Sequence, residues 1–301
     1  MSSQFSFRGV ATALVTPMQN SDGAVDERAL RALVDFQITN GVNGLVPVGT
    51  TGESATLNHA EHHHVMDVVV EQTAGRVPVI VGAGSNSTRE AISLTQHARA
   101  IGAQAALSIA PYYNKPTQEG FYQHYKAIAE SVDIPIFVYN VPGRTGSNIN
   151  AETTLRIAEI PGIAGIKEAS GNMSQVMEIL RHRPQRFTVL SGDDALTLPL
   201  MALGADGAIS VVANETPGLF SKMVRHCLDG NFAEARTIHE ELLQLMNLNF
   251  IESNPIPVKG ALAIMGLIDE TYRLPLTPMT TDHRFAVRRA LEELHLMESH
   301  K

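Results

Sequence analysis

A single lysine lies at the end of an otherwise apolar segment, GIAGIKEAS, which spans residues 162–170. Moving an ammonium group from water into apolar surroundings is costly unless the group is paired or loses its proton. A lysine attacks a ketone as the neutral amine, and burial beside Ile163, Ala164 and Ile166 favours that form. A lone lysine of this kind more often extends to solvent from the end of a strand. Lys167 is therefore a candidate Schiff-base lysine only if other reactive side chains lie beside it.

Such side chains follow other apolar segments of the chain. Tyr139 ends one segment, and the glycine-flanked pair Thr50 and Thr51 follows another. Tyr139 could carry protons to and from the intermediates of amine catalysis, with the hydroxyl of either threonine as a relay. The threonine turn could also present backbone N–H groups to a carboxylate. Arg144, in the Pro-Gly loop after Tyr139, offers a bidentate guanidinium for a second carboxylate.

These residues must be positioned by the segments that they terminate. Eight short apolar segments lack strict alternation, as strands buried on both faces do, and amphipathic stretches separate them. This alternation predicts a (β/α)8 TIM barrel over residues 1–230, whose strands would end at one shared mouth. A doubly wound sheet is the competing fold, but no G-x-G-x-x-G turn follows the first strand. The predicted strands are Val10–Thr16, Gly44–Gly49, Val77–Gly82, Ala105–Ala110, Ile134–Asn140, Ile163–Lys167, Phe187–Ser191 and Gly207–Val211.

The last seventy or so residues contain no further strand signal. Three helical stretches are predicted there, Phe232–Asn249, Pro257–Met265 and Thr281–Met297, with proline-containing breaks between them. We therefore expect a small helical domain over residues 231–301, packed on the barrel.

The amino-acid composition argues against a nucleic-acid-binding or membrane protein. The 301 residues are 44% hydrophobic and carry a net charge of −8, and no basic run is present, so a nucleic-acid partner is not expected. No apolar run is long enough for a membrane span, and no signal-peptide pattern is evident at the N-terminus. Cys227 is the only cysteine, which excludes an intrachain disulfide and fits a reducing cytoplasm.

The acidic residues after strands seven and eight and the spacing of the histidines indicate whether the site would bind a phosphate group or a metal. The loops after strands seven and eight, where barrels often bind phosphate, carry Asp194 and Glu215, and we expect these carboxylates to repel a phosphate. His59 and His63 lie four residues apart, but the glutamate of the metalloprotease motif is missing after the first histidine. We therefore expect neither a metal nor another cofactor. What remains is metal-free Schiff-base chemistry on unphosphorylated carboxylates.

Six motifs occur in an order that resembles a known family. They are VGTTGES, PYYNKPTQEG, YNVPGRTG, GIKEASG, SGDD and NPIPVK. The chain is similar from Gly9 to about Gly266 to the dihydrodipicolinate synthases, pyruvate-dependent class I aldolases of the family that includes N-acetylneuraminate lyase. The resemblance implies condensation of pyruvate with L-aspartate-4-semialdehyde to 4-hydroxy-tetrahydrodipicolinate, the committed step towards diaminopimelate and lysine. The YNVPGRTG motif is the part most specific to the synthases.

The same resemblance implies a role for each matching residue. Lys167 would form the Schiff base, Tyr139 would be the acid and base, and Thr51 and Tyr113 would complete the proton relay. Tyr113 would reach in from a neighbouring subunit of a homotetramer, a dimer of tight dimers. The substrate contacts implied are Thr50 and Thr51 with the pyruvate carboxylate, Arg144 with the semialdehyde carboxylate, and Gly192 and Ile209 within the pocket.

An inhibitor pocket for L-lysine is also expected. Free lysine needs a hydrogen-bond donor for its carboxylate and acceptors for its α- and ε-ammonium groups in one crevice. Glu90 would hold the α-ammonium, Asn86 either end of the ligand, and Tyr112 the carboxylate. By resemblance to lysine-sensitive relatives, the ε-ammonium would be surrounded by Ser54, Ala55, His59 and His62. The spacing of the histidines alone would equally suit a polar helix face.

Two alternatives to the synthase remain open at this point. The chain could be another pyruvate- or 2-oxoacid-dependent aldolase of the same family, because Lys167 and Tyr139 do not determine which aldehyde is the second substrate. It could also be a catalytically silent barrel that binds a metabolite. The combination of Lys167 with Tyr139, Thr50 and Thr51 disfavours the silent barrel, because binding alone needs no buried reactive amine.

Overall fold

The computed structural model describes residues 5–297. Eight parallel strands form a single sheet in this part of the chain. The strands are hydrogen-bonded in the order β2-β1-β8-β7-β6-β5-β4-β3, and a parallel bridge from Leu45 to Val79 joins β2 to β3. The predicted (β/α)8 TIM barrel is therefore confirmed. The strands are β1 Gly9–Ala13, β2 Gly44–Val46, β3 Ile80–Gly82, β4 Ala105–Ile109, β5 Ile136–Asn140, β6 Ile163–Glu168, β7 Thr188–Ser191 and β8 Gly207–Ser210.

Helices follow the strands along the chain. Helix α2 begins with a reciprocal cap, in which the Asn58 side chain accepts from the Glu61 N–H and the Glu61 carboxylate accepts from the Asn58 N–H. Single 3₁₀ turns lie at Ser54–Thr56 and Val212–Asn214. The α-helices are α1 Glu27–Thr39, α2 His59–Thr73, α3 Thr88–Ala100, α4 Gln118–Ser131, α5 Pro142–Thr145, α6 Ala151–Ala158, α7 Met173–His182, α8 Thr197–Ala202, α9 Pro217–Leu228, α10 Phe232–Leu248, α11 Ile256–Ile264 and α12 Thr281–Glu293.

Several predicted elements extend beyond the elements observed, and β2 and α12 are two of them. Strand β2 stops at Val46 because Pro47 has no N–H to donate to a neighbouring strand and Val48 turns the chain with a φ of +48°. Helix α12 ends at Glu293, four residues before the predicted end at Met297. There the Leu294 N–H bonds back to the Ala290 carbonyl, and His295 leaves the helix with a φ of +55°.

Every strand contributes to a cluster of buried apolar side chains inside the barrel, here called the interior cluster. This packing fixes the strands at their centre, so that the residues at their carboxyl ends share one rigid frame. The contributing residues are Ala11, Val46, Ile80, Leu107, Phe137, Ala164, Leu190 and Ile209.

The C-terminal helices share a second apolar core with the barrel. Met223 of α9, Leu242 and Leu245 of α10 and Leu291 of α12 lie in one continuous buried cluster. The cluster contains residues from both sides of the domain boundary predicted after residue 230, and this boundary stays a prediction. Residues 298–301 of the predicted helical domain lie outside the described residues. No helix within residues 5–297 is both long and apolar enough to cross a membrane.

Candidate active site

Lys167 and Tyr139 face each other at the centre of the barrel. Their Cα atoms are register partners on the parallel strands β5 and β6, and the Lys167 Nζ lies 4.2 Å from the centroid of the Tyr139 ring. The lysine is 5% exposed. Within residues 5–297 it forms no ion pair with a carboxylate, whereas the other buried lysine, Lys259, does. The amine of Lys167 is therefore held beside a phenol rather than in a salt bridge.

Gly192, at the end of β7, leaves the space that the lysine side chain occupies. A Cβ atom at this position would lie 2.9 Å from both Cγ and Cε of Lys167, closer than real Cβ contacts allow. Ile209, on β8, is 1% exposed and belongs to the same interior cluster as Tyr139. Gly192 therefore lies against the lysine, and Ile209 lies in the cluster that contains Tyr139.

The threonine turn is built on a strained backbone. Val48, a β-branched residue, adopts a positive φ that such residues rarely take. Glycines pack against it closely: a Cβ on Gly82 would lie 2.3 Å from the Val48 carbonyl oxygen, and one on Gly52 would lie 2.8 Å from the Val48 nitrogen. Thr51 is 3% exposed in this turn. Only glycine leaves enough space at these two positions for the chain to pack this closely against the Val48 backbone.

Asn254 connects the threonine turn to the arginine loop. Its side-chain Nδ2 donates to the Thr51 Oγ1 at 3.0 Å, and its backbone carbonyl accepts from the Arg144 Nη2 at 3.1 Å. Asn254 opens the NPIPVK motif but was not among the predicted site residues. It comes from the C-terminal helical segment, 203 residues from Thr51 along the chain.

A buried ion pair also joins that segment to the barrel mouth. Glu53 and Lys259 both have fully buried side chains, and the Lys259 ammonium donates to the Glu53 carboxylate. Burial lowers the pKa of Lys259, and the attraction of Glu53 acts in the opposite direction. The pair, which ties the threonine turn to α11, was not predicted, although both residues lie in quoted motifs.

Asp194 and Glu215, which follow β7 and β8, are buried. Asp194 accepts from the Val211 and Val212 N–H groups, and burial raises its pKa to about 6. Burial also raises the pKa of Glu215 well above its usual range. Neither side chain lines the mouth cavity described below. The expected repulsion of a phosphate stays a prediction.

A cavity of about 490 Å³ opens at the mouth of the barrel. Thr50, Tyr139, Arg144 and Asn254 line one part of it. Six of the seven residues predicted to bind lysine line another part: Ser54, Ala55, His59, His62, Glu90 and Tyr112. The predicted catalytic and inhibitor sites are therefore continuous within one chain.

Several predicted site residues lie outside the wall of this cavity. Asn86 is half-buried nearby, where its carbonyl accepts from the Asn114 side chain. Tyr113 is 89% exposed and has a φ of +72°, so its own barrel neither packs it nor brings it to Tyr139. Lys167, Thr51, Gly192 and Ile209 lie deeper in the barrel.

The inhibitor part of the cavity has a defined charge pattern. Glu90 accepts from the Ser85 hydroxyl, and its other oxygen lies 3.1 Å from the His59 Nε2. Burial lowers the pKa of His62 to about 4, with neighbouring histidines adding to the effect. The imidazole is therefore neutral near pH 7, and its Nδ1 has no hydrogen-bond partner among the described residues. The Glu90 carboxylate and the neutral His62 therefore both line the same crevice.

The neighbouring histidines have partners other than a metal. The rings of His63 and His97 stack with centroids 3.9 Å apart, and the His97 Nε2 lies 2.7 Å from Asp67. Among residues 5–297 no three side chains of the metal-ligating types converge. The expectation of a metal-free site stays a prediction.

Most of the chain matches one known family. Residues 6–294 match the dihydrodipicolinate synthetase family. The chain belongs to this family. A 4-hydroxy-tetrahydrodipicolinate synthase from Prosthecochloris aestuarii is 51% identical over 296 residues, which cover 98% of this chain and 99% of that protein.

Two solved structures extend the comparison. The crystal structure of a dihydrodipicolinate synthase from Acinetobacter baumannii complexed with pyruvate is 47% identical, with a TM-score of 0.95 over 97% of this chain and 100% of that one. A dihydrodipicolinate synthase from Cyanidioschyzon merolae, solved with lysine bound, is 42% identical. Its TM-score is 0.94 over 97% of this chain and 99% of that one. The family membership therefore holds in both sequence and fold.

Proposed function

We propose that the protein is a lyase that condenses pyruvate with L-aspartate-4-semialdehyde to give 4-hydroxy-tetrahydrodipicolinate. The observation that carries the proposal is the pairing of Lys167 with Tyr139 on adjacent strands, with the amine 4.2 Å from the phenol ring. Curated relatives about half identical over nearly the whole chain carry the name of this activity. A cytoplasmic location belongs to the same proposal and is supported by the free Cys227.

The chemistry proceeds through the amine of Lys167. It adds to the ketone of pyruvate, whose oxygen leaves as water, and an imine remains. A proton then leaves the pyruvate methyl group through the Tyr139 and Thr51 relay, giving an enamine. The enamine carbon bonds to the aldehyde carbon of the semialdehyde, whose oxygen takes up a proton. Finally, the amino group of the semialdehyde adds to the imine carbon and displaces Lys167, which closes the ring.

Two assays separate this function from its alternatives. Borohydride reduction in the presence of pyruvate should attach a stable three-carbon group to the protein, which a silent binding barrel would not retain. Product formation with L-aspartate-4-semialdehyde should then exceed that with other short aldehydes. Trapping without synthase activity would instead favour another pyruvate-dependent aldolase.

We further propose that the protein assembles as a homotetramer in which each subunit lends Tyr113 to its neighbour. The Tyr113 ring is 89% exposed and the adjacent Tyr112 is 40% exposed, so two neighbouring aromatic residues are open to a partner surface. A Lys167→Ala subunit mixed with a Tyr113→Phe subunit tests the exchange. In a mixed dimer, one site combines an intact Lys167 with an intact Tyr113 from the partner.

We expect each variant to be inactive alone or at least about tenfold slower, and the co-expressed mixture to regain synthase activity. Sedimentation of each protein gives the assembly state. A mixture no more active than its components, although mixed dimers are isolated, would place Tyr113 in its own subunit's chemistry or outside it.

L-lysine is the proposed inhibitor of this enzyme. Glu90 supplies a carboxylate for an ammonium group, and the neutral His62 lines the same cavity. Tyr112, which also lines the cavity, is the proposed partner of the ligand carboxylate. The relative solved with lysine bound supports this choice of ligand.

We expect Glu90→Thr to weaken inhibition by L-lysine at least about tenfold, because an ammonium would lose its charged partner. The measurement is the ratio of inhibited to uninhibited rate, taken with L-lysine and D-lysine for each protein. Glu130→Thr is the matched control, since Glu130 is exposed on α4 away from the cavity. Equal inhibition of the parent and Glu90→Thr, or none in the parent at millimolar lysine, would refute the assignment.

A further inference from the structure

The pairing of strands β5 and β6 is irregular shortly before the residues that carry the chemistry. Phe137 pairs with Gly165, whereas the residue before it pairs with Ile163, so Ala164 has no partner on β5. Within residues 5–297 the other strand ladders show no such shift. Because a slip of one residue turns each side chain to the opposite face, the register has to be fixed again beyond this point.

Asn140 and Glu168 join the two strands one residue beyond the tyrosine and the lysine. They are register partners, and since successive side chains of a strand point to opposite faces, theirs lie on the outer face, towards the helices. The Asn140 Nδ2 donates to the Glu168 Oε2 at 3.1 Å. The other end of the amide must be the oxygen, because it lies 3.1 Å from the backbone N–H of Ile149, which can only donate.

We propose that Asn140 and Glu168 are positioning residues whose cross-strand hydrogen bond holds the Tyr139 phenol beside the Lys167 amine. The inference rests on the proposed Schiff-base reaction, which needs these two groups together. Neither Asn140 nor Glu168 lines the mouth cavity, and their side chains are almost fully buried. Their effect on the reaction therefore passes through the strands that carry the lysine and the tyrosine.

Both oxygens of the Glu168 carboxylate are occupied by donors. Its Oε1 accepts from the Ser170 N–H at 2.7 Å, and its Oε2 accepts from Asn140 and, at 3.4 Å, from Gln175 of α7. Burial raises the pKa of Glu168, and these hydrogen bonds act in the opposite direction. A glutamine of the same size has a single oxygen, so its NH₂ group would have to face one of these donors. In a buried site, two donors that face each other both lose their partner.

Exchange of the pyruvate methyl protons in D₂O measures the combined action of Lys167 and Tyr139 without the second substrate. We expect Glu168→Gln and Asn140→Asp each to slow this exchange at least about tenfold, because a small displacement of the reacting groups has a large effect on rate. Rates are expressed per site that borohydride traps with pyruvate, well below the unfolding temperature of each variant, so partial misfolding does not obscure them.

The double variant Asn140→Asp/Glu168→Gln exchanges the acid and the amide between the two strands. The new glutamine oxygen can accept from the Ser170 N–H, and its nitrogen can donate to the new aspartate, so a cross-strand hydrogen bond is restored in the opposite direction. We expect exchange at least about threefold faster than in either single variant. Recovery should be partial, because Asn140 also donates to the Asn148 Oδ1 at 2.9 Å and an aspartate cannot.

Glu215→Gln is the matched control. Glu215 is also a buried glutamate, but it accepts from Asn249 in the C-terminal segment and does not line the cavity. Its exchange per trapped site should stay within about twofold of the parent. Exchange in Glu168→Gln that is also within twofold of the parent would overturn the inference. A double variant that unfolds at a higher temperature than the single variants, but exchanges no faster, would overturn it too, because the contact would then serve stability alone. Failure of trapping in the parent protein would instead overturn the proposed function.

Discussion

Lys167→Ala and Lys167→Arg are both expected to abolish synthase activity, by roughly 10³-fold or more, as removal of a covalent nucleophile does elsewhere. Alanine has no amine, and the guanidinium of arginine stays protonated and cannot form the imine. The folded barrel should persist, because Lys167 is not part of the interior cluster to which all eight strands contribute. The measurements are synthase activity, circular dichroism and the mass of the protein after borohydride reduction with pyruvate.

The second buried lysine provides the internal control for this experiment. Lys259 has a fully buried side chain, but its ammonium is paired with Glu53, and so it should not react. Peptide mapping should therefore place the three-carbon group on Lys167 in the parent protein and on no lysine in either variant. A label on Lys259, or a trapped adduct that persists in Lys167→Ala, would contradict the proposed mechanism.

The barrel could be predicted from the sequence because its strands are buried on both faces. Segments such as Ile163–Lys167 then show a continuous apolar run rather than alternation, and the intervening helices carry clear start signals such as Asn58 with Glu61. The ends of the individual strands and helices were predicted less accurately than their order. Strand β2 was predicted three residues too long because valine favours strands, whereas Val48 occupies a left-handed turn.

The pairing of Lys167 with Tyr139 could also be predicted from the order of the strands in a parallel barrel. Consecutive strands of a parallel barrel are neighbours, so residues at equivalent positions of β5 and β6 must face each other, as Tyr139 and Lys167 do. Contacts made by the C-terminal segment could not be predicted in this way. Asn254 and Lys259 reach Thr51 and Glu53 across more than 200 residues, and no periodicity encodes such a contact. The NPIPVK motif was the only signal that could have drawn attention to them.

Arg144→Ala is expected to impair the second half of the reaction selectively. A hydrogen bond to a charged group contributes about 1.5–3 kcal/mol, so kcat/KM for the semialdehyde should fall roughly 10- to 150-fold. The guanidinium is exposed at the cavity wall and is held by the Asn254 carbonyl, whereas Lys167 lies deeper in the barrel. Trapping of pyruvate by borohydride should therefore change less than about twofold. Steady-state kinetics and trapping on the same preparations give both quantities.

Two further variants show whether the arginine acts through its geometry or only its charge. Arg144→Lys keeps a positive charge but loses the planar fork that matches a carboxylate, so its kcat/KM should lie between those of Arg144→Ala and the parent. Arg156→Ala removes an exposed arginine that pairs with Glu119 on the outside of the barrel, and both activities should remain close to those of the parent. An equal loss of trapping and synthesis in Arg144→Ala would mean that Arg144 supports pyruvate binding or the fold. The selective contact with the semialdehyde carboxylate would then have to be assigned to another residue of the cavity.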